Sequence, residues 1–210
     1  MINVMIVEDD PMAQKLLEIF ISENSSYRMV HTIESAAMAE FYCMINPIDL
    51  VLMDVCTAMN VSGLEAAEKI KSRFPHIKII IITSQPECSF IDRALAAGVE
   101  SFWYKTASAQ EILTVMDRTM AGERIYPDST PSLKLGDAVS ERFSERELEV
   151  LRLLVAGETD AAIAEKLYMS VRTVKQHIQS MRDKTGFRNR TELAVRARES
   201  GLVINDQKTE

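Results

Sequence analysis

The sequence predicts two folded units in tandem: an α/β unit with a doubly wound, five-stranded parallel sheet, then an all-α unit of four helices. Three observations lead there. Apolar runs of strand length alternate with amphipathic, helix-length segments over residues 1–121, the pattern of a parallel sheet covered on both faces. A stretch rich in Gly, Pro, Asp, Ser and Thr, residues 122–142, then breaks all periodicity and reads as a linker. Residues 143–204 read as helical, and 205–210 as a frayed tail.

The elements follow in order. Ile2–Val7 is a buried strand, and Asp10 caps a helix with Pro11 in its first turn, where a missing N–H costs nothing. That helix shows Met12, Leu16, Ile19 and Phe20 at helical spacing, which predicts its buried face. A strand near Arg28–Ile33 precedes a helix over Ser35–Ile45, and Asp49–Met53 is a strand ending at Asp54. Ser62-Gly-Leu-Glu65 is a capping box opening a helix to about Phe74. Ile77–Thr83 is the most β-prone segment, with isoleucine at 77, 79, 80, 81 and 82. A helix over Glu87–Ala97 stops at Gly98, and Glu100–Tyr104 is a fifth strand. A capping box at Ser108–Glu111 opens a last helix to about Ala121. Five such βα units make a flavodoxin-like sheet. In the second unit Ser144–Glu147 is another capping box, and helices are expected over 145–156, 161–167, 171–184 and 191–200.

Composition narrows the function classes. The longest apolar run, Ile77–Ile82, is interrupted by Lys78 and falls far short of the roughly 20 residues a membrane helix needs. The start, MINVMIVEDD, lacks the basic region of a signal peptide, so a cytoplasmic protein is expected. The three cysteines share no metal-type spacing and read as reduced thiols, and the twelve methionines read as core filler. Residues 1–139 hold 11 Lys+Arg against 19 Asp+Glu, whereas residues 140–201 hold 12 against 10. An acidic front and a mildly basic back suggest different partners.

The polar residues fall at informative places. Glu8 and Asp9 follow the first strand, Asp54 ends the third, Thr83 ends the fourth and Lys105 follows the fifth. In a parallel sheet these positions share the carboxyl edge, where such folds place ligands. Any one of them alone is ordinary; five in order converge on a site. Three clustered carboxylates repel, by ~4 kcal/mol per pair at ~4 Å and an effective dielectric near 20. A hard cation such as Mg²⁺ would relieve that repulsion. A carboxylate there can attack phosphorus, with Lys105 and the Thr83 hydroxyl holding phosphoryl oxygens.

Val-Glu8-Asp9-Asp10, Leu-Met-Asp54-Val, Ile-Thr83-Ser and Lys105-Thr resemble the receiver domain of bacterial response regulators over residues 1–121. The resemblance implies Asp54 as phosphoacceptor and Mg²⁺ held by Glu8, Asp9, Asp54 and the backbone carbonyl of Cys56. It implies Thr83 and Phe102 as the switch pair, and a sensor histidine kinase as phosphodonor. The protein would then accept and slowly lose its own phosphoryl group and would not be a turnover enzyme. Two features depart from the pattern: Ala58 stands where proline is usual, and the Val55–Ser62 loop is one residue longer. Those departures leave an alternative, an atypical receiver with phosphorylation-independent DNA binding. A phosphatase of the haloacid dehalogenase type would want a second Asp two positions after Asp54, where Cys56 stands.

In the helical unit, Val174, Ile178 and Met181 repeat at i, i+4, i+7 and must face a core. Arg172, Lys175, Gln176, Gln179 and Arg182 lie on other faces and suit base edges. Thr173 near the helix start, with Lys184, Arg188 and Arg190, suits phosphates; so does Arg172. Phe143-Ser-Glu-Arg-Glu-Leu, Ile163-Ala-Glu-Lys-Leu and Ser170-Val-Arg-Thr-Val-Lys-Gln-His resemble the LuxR/NarL-type helix-turn-helix over residues 143–197. Asp160-Ala161-Ala162 departs from it and lacks a lysine that would contact phosphate. The resemblance implies transcription control, binding to double-stranded DNA and a homodimer on activation or on DNA.

Overall fold

The computed structural model describes residues 1–87, 89–105, 109–128 and 130–203. Cys88, Thr106, the expected cap at Ser108 and the expected tail Asn205–Glu210 lie outside the described residues. Contacts divide the chain into two compact units, Met1–Ser84 with Ser89–Ser129, and Gln85–Cys88 with Thr130–Glu210.

The first unit runs β1 (Ile2–Val7), α1 (Pro11–Ser22), β2 (Tyr27–Ile33), a 3-10 turn at Ala36–Met38, α2 (Ala39–Ile45) and β3 (Leu50–Asp54). It continues with β4 (Cys56–Thr57), β5 (Val61–Ser62), α3 (Gly63–Arg73), β6 (Lys78–Thr83), α4 (Phe90–Ala96), β7 (Ser101–Tyr104) and α5 (Ala109–Met120). The main sheet has the order β2-β1-β3-β6-β7, parallel throughout, which is the doubly wound topology expected. Strand alternation sends Val4, Ile6, Leu50, Leu52, Ile80 and Ile82 to one face, where they pack with Leu17, Ile21, Ile112 and Met116. Each such side chain, once buried, contributes roughly 1.5–3 kcal/mol. The amino edge is fastened by Lys71, whose Nζ donates to the carbonyls of Pro75 and Ile77 and to Glu100 Oε1 at 2.6 Å. Glu100 also accepts from the Ile79 N–H at 2.9 Å.

Three expectations are corrected. The inward face of α1 is Leu17 and Ile21; Met12, Leu16 and Ile19 are exposed. Two apolar stripes share this helix, and periodicity does not say which one meets the sheet. Met5, Met53, Met116 and Met181 are core residues, but Met12, Met29, Met38, Met44 and Met59 lie on the surface. The helix expected from Glu87 begins at Phe90, and Ser89 offers it no capping hydrogen bond.

Beyond Asp54 the chain forms a small antiparallel hairpin, β4 against β5, turning through Ala58–Asn60. Met59 and Asn60 have φ of 63° and 55°, so the extra residue of this loop is absorbed in left-handed backbone. Thr57 Oγ1 donates to the Val61 carbonyl at 2.6 Å and accepts from the Ala36 N–H at 3.0 Å. Ser35 Oγ donates to the Ala58 carbonyl at 3.1 Å. The hairpin exits at Gly63, where a Cβ would sit 1.8 Å from the Asp54 carbonyl oxygen. No other residue fits there.

Residues 122–142, expected as a linker, carry local structure. Ile125 bridges Ser101 in parallel, and β8 (Lys134–Leu135) pairs with β9 (Ala138–Val139). The turn between those strands needs Gly136: its φ is 59°, and a Cβ there would lie 2.1 Å from the Thr185 carbonyl oxygen. The second unit continues with α6 (Glu145–Val155), α7 (Asp160–Lys166), α8 (Val171–Thr185) and α9 (Arg190–Ser200). Its core joins Leu148, Leu151, Ile163, Val174, Ile178, Met181 and Leu193. The Ser144 capping box is complete: its hydroxyl accepts from the Glu147 N–H, and Glu147 Oε2 accepts from the Ser144 N–H at 2.8 Å.

Candidate functional site

At the carboxyl edge, β1, β3 and the end of β7 deliver Glu8, Asp54 and Lys105 to one crevice. Lys105 Nζ lies 2.5 Å from Glu8 Oε2 and 3.0 Å from Asp54 Oδ2. Asp54 Oδ1 accepts from the Val55 N–H at 2.7 Å. Glu8 and Asp54 are buried, whereas Asp9 is exposed at the rim. Glu8, Asp9 and Asp54 each offer an oxygen within 4.8 Å of the others. Asp10 is set apart from this group: its Oδ1 accepts from Met12 and Ala13 N–H groups and caps α1. Those same bonds hold the Asp10 carboxyl below its ordinary value.

The electrostatics follow from burial. Desolvation pushes the Asp54 carboxyl up to about 7, with Lys105 opposing and Glu8 adding to the rise. Burial pulls the Lys105 ammonium down, but the two carboxylates outweigh it and hold it above the usual lysine value. Glu8 Oε2 is buried, and its charge is met by the Lys105 ammonium. Two buried carboxylates that share one lysine, with a third at the rim within 4.8 Å, are an all-oxygen set of the kind a small hard cation takes. Thr83 is fully buried at the end of β6, and Phe102 and Tyr104 lie on β7 with rings 5.0 Å apart.

In the second unit, α7, a turn and α8 form two helices joined by Leu167–Met169, with Tyr168 left-handed at φ 52°. Ser170 caps α8 by accepting from the Thr173 N–H at 3.0 Å. Val174, Ile178 and Met181 face the core, so Arg172, Lys175, Gln176 and Gln179 are turned to solvent. Among the described residues Arg172, Lys175 and Gln176 have no side-chain hydrogen bond or ion pair, which leaves them available to a ligand.

Residues 4–117 match the family model of the response regulator receiver domain, and residues 141–197 match that of bacterial regulatory proteins of the luxR family. The chain is 30% identical over 209 residues to the response regulator protein VraR of Staphylococcus aureus, covering 96% of this chain and 99% of that one. The chain belongs to the response regulators.

Solved structures agree in fold. RcsB of Salmonella enterica serovar Typhimurium, solved bound to the promoter P1flhDC, covers 96% of this response regulator with a TM-score of 0.63 at 21% identity. A LuxR-family response regulator from Aurantimonas sp. SI85-9A1 covers 61% of it, and 89% of that chain, with a TM-score of 0.54 at 25% identity. The protein is thus a DNA-binding transcription regulator with a receiver and a LuxR-type helix-turn-helix. Among the described residues no helix is long and apolar enough to cross a membrane.

Several basic residues expected at DNA are engaged within the response regulator itself. Lys184 Nζ bonds Glu147 at 2.6 and 2.8 Å and the Arg142 carbonyl at 2.9 Å. Arg190 bonds Asp160 at 2.7 Å, and Arg182 donates to the Arg188 carbonyl and to Gln179. Sequence reading missed the Lys184 and Arg190 partners because Glu147 and Asp160 lie 37 and 30 residues away, whereas the Arg182 partners are local. One signal was present: Glu147 is the last residue of a capping box, which places its carboxylate beside a helix start and within reach of α8.

Proposed function

We propose that Asp54 accepts a phosphoryl group from a sensor histidine kinase and that this controls DNA binding through α8. The observation that carries the reading is Asp54, buried at a sheet edge between an acidic pair and Lys105. A carboxylate already desolvated, with one oxygen held by the Val55 N–H and the other by Lys105, is fixed in orientation. Lys105 would exchange its ion pair with Asp54 for the phosphoryl oxygens, and Thr83 would turn its hydroxyl to them, drawing on Phe102. Glu8, Asp9, Asp54 and the Cys56 carbonyl would hold Mg²⁺, which when bound offsets the negative charge gathered around phosphorus. The phosphoryl group leaves slowly and no other substrate is turned over.

The helix-turn-helix reads double-stranded DNA through Lys175, Gln176, Gln179 and Arg182, with Arg172, Thr173, Lys184, Arg188 and Arg190 at phosphates. Lys184 and Arg190 reach DNA only at the cost of the pairs described above. We assign residues 1–121 to the receiver and 143–204 to the DNA-binding domain, with a cytoplasmic homodimer on activation. A second reading, phosphorylation-independent DNA binding, draws on the Lys105 ion pairs, which satisfy the pocket without any ligand.

Intact mass after treatment with acetyl phosphate and Mg²⁺ separates the two readings. The switch predicts a species heavier by about 80 Da, one phosphoryl group, that is absent in Asp54→Asn. No such species, or one that persists in the variant, refutes it.

A further inference from the structure

We propose that Tyr126 and Ile125 are positioning residues of the switch: they strap the segment after α5 onto β7, hold Phe102 inward, and leave when Asp54 is phosphorylated. The inference rests on the phosphoacceptor reading above. β7 is the last strand of the main sheet, and its outer edge is not left open. The Phe102 N–H donates to the Ile125 carbonyl at 2.8 Å, and the Ile125 N–H donates to Ser101 Oγ at 3.2 Å. Ser101 Oγ is itself 2.7 Å from Thr119 Oγ1 of α5, so the strap, the strand and the helix share one hydroxyl. Tyr126 closes the arrangement. Its hydroxyl donates to the Val99 carbonyl at 2.8 Å, and its ring stacks on Phe102 at 6.4 Å and 30°. Burial pushes that hydroxyl up to about 12, so it stays a donor.

The strap touches the switch residue by both backbone and side chain, and few bonds hold it. On its inner edge β7 is paired with β6 over four residues, Ile80 to Thr83, and Thr83 lies opposite Tyr104. A pull on Thr83 and Lys105 toward a phosphoryl group is therefore a pull on β7 from the inner side. Glu123 is tied separately to Arg118 of α5, and among the described residues the bonds on the outer side of β7 are the two through Ile125 and the one from Tyr126. They are the first to give when Phe102 shifts, because Phe102 carries both the N–H and the ring that the strap grips. Freeing residues 124–126 changes the start of the segment that leads out of the first unit, which would carry the signal forward.

The bond after Arg124 lies inside the strap, which gives a direct assay. Full-length protein is digested briefly with trypsin in Mg²⁺, with and without beryllofluoride as a phosphoryl mimic, and the cut after Arg124 is followed by mass. Fluorine NMR on the same samples reports whether beryllofluoride is bound. The expected result is cleavage at least about fivefold faster with the mimic. Tyr126→Phe should cut faster without the mimic and show a ratio near one. Bound fluoride with unchanged or slower cleavage overturns this inference alone. So does Tyr126→Phe if it accelerates cleavage equally in both states, since that marks a purely structural bond. Absence of bound fluoride overturns the phosphoacceptor reading, and this inference with it.

Discussion

Replacing Asp54 with Asn should stabilise the metal-free receiver at pH 8, although it removes an ion-paired carboxylate. The Asp54 carboxyl has an ordinary value of 3.8 and about 7 in the fold. Between those values the folded state binds a proton that the unfolded state has released, so stability falls as pH rises. The native fold is unburdened below pH 3.8 and carries the full cost above about 7. A rise of about three units, at ~1.4 kcal/mol each, sets an upper limit of ~4 kcal/mol. Relaxation of the crevice lowers this, so the gain expected at pH 8 is about 2–4 kcal/mol. Urea unfolding in EDTA, followed by Trp103 fluorescence, reads the receiver alone, because Trp103 is the sole tryptophan and lies on β7. The gain should shrink steadily toward pH 4. A variant that is less stable than the parent at pH 8, or a gain that does not change with pH, would refute the reasoning.

Other outcomes follow from the same geometry. Lys105→Met strands Glu8 and Asp54 without a cation and should cost about 3–5 kcal/mol at pH 8 by the same urea assay, with much of the loss recovered at pH 5, where Asp54 is protonated. Lys184→Ala should lower the stability of the helix-turn-helix by about 2–3 kcal/mol, measured by thermal melting, because Glu147 remains buried. Burial raises the Glu147 carboxyl, but Lys184, the Ser144 N–H and Ser180 outweigh it and hold it below 4.5. Its contribution is complete above pH 4.5 and is lost as pH falls through the lower folded value, which circular dichroism of an acid titration would follow. Arg172→Ala should weaken binding to duplex DNA and make the slope of log affinity against log salt shallower by about 0.9; an unchanged slope in gel-shift titrations would remove Arg172 from the phosphate contacts.

The parts of this protein that were legible in the sequence are those set by local rules. Ile77–Thr83 could only be a buried strand, Ser144–Glu147 could only start a helix, and the strand-end positions of Glu8, Asp54 and Lys105 imply a shared crevice once the sheet is parallel. What escaped depends on contacts between distant positions. Met12 and Leu17 both lie on plausible faces of α1, and only the sheet beneath selects Leu17. Lys184 looks like any basic residue on a recognition helix until Glu147 is placed 2.6 Å away. Ile125 sits in a stretch with no periodicity, yet a single strand edge is enough to order it.

Gly63 and Thr57 together say which part of the loop after Asp54 is open to change. At one end a side chain on residue 63 would collide with the Asp54 carbonyl; at the other, Thr57 is tied to Val61 and to Ala36. Ala58 is tied as well, through Glu34 and Ser35, so only Met59 and Asn60 turn through solvent, and Met59 is 74% exposed. Met59 and Asn60 can be exchanged for residues that accept left-handed backbone without disturbing either anchor. Selection can therefore vary this arc while the crevice it borders keeps its shape.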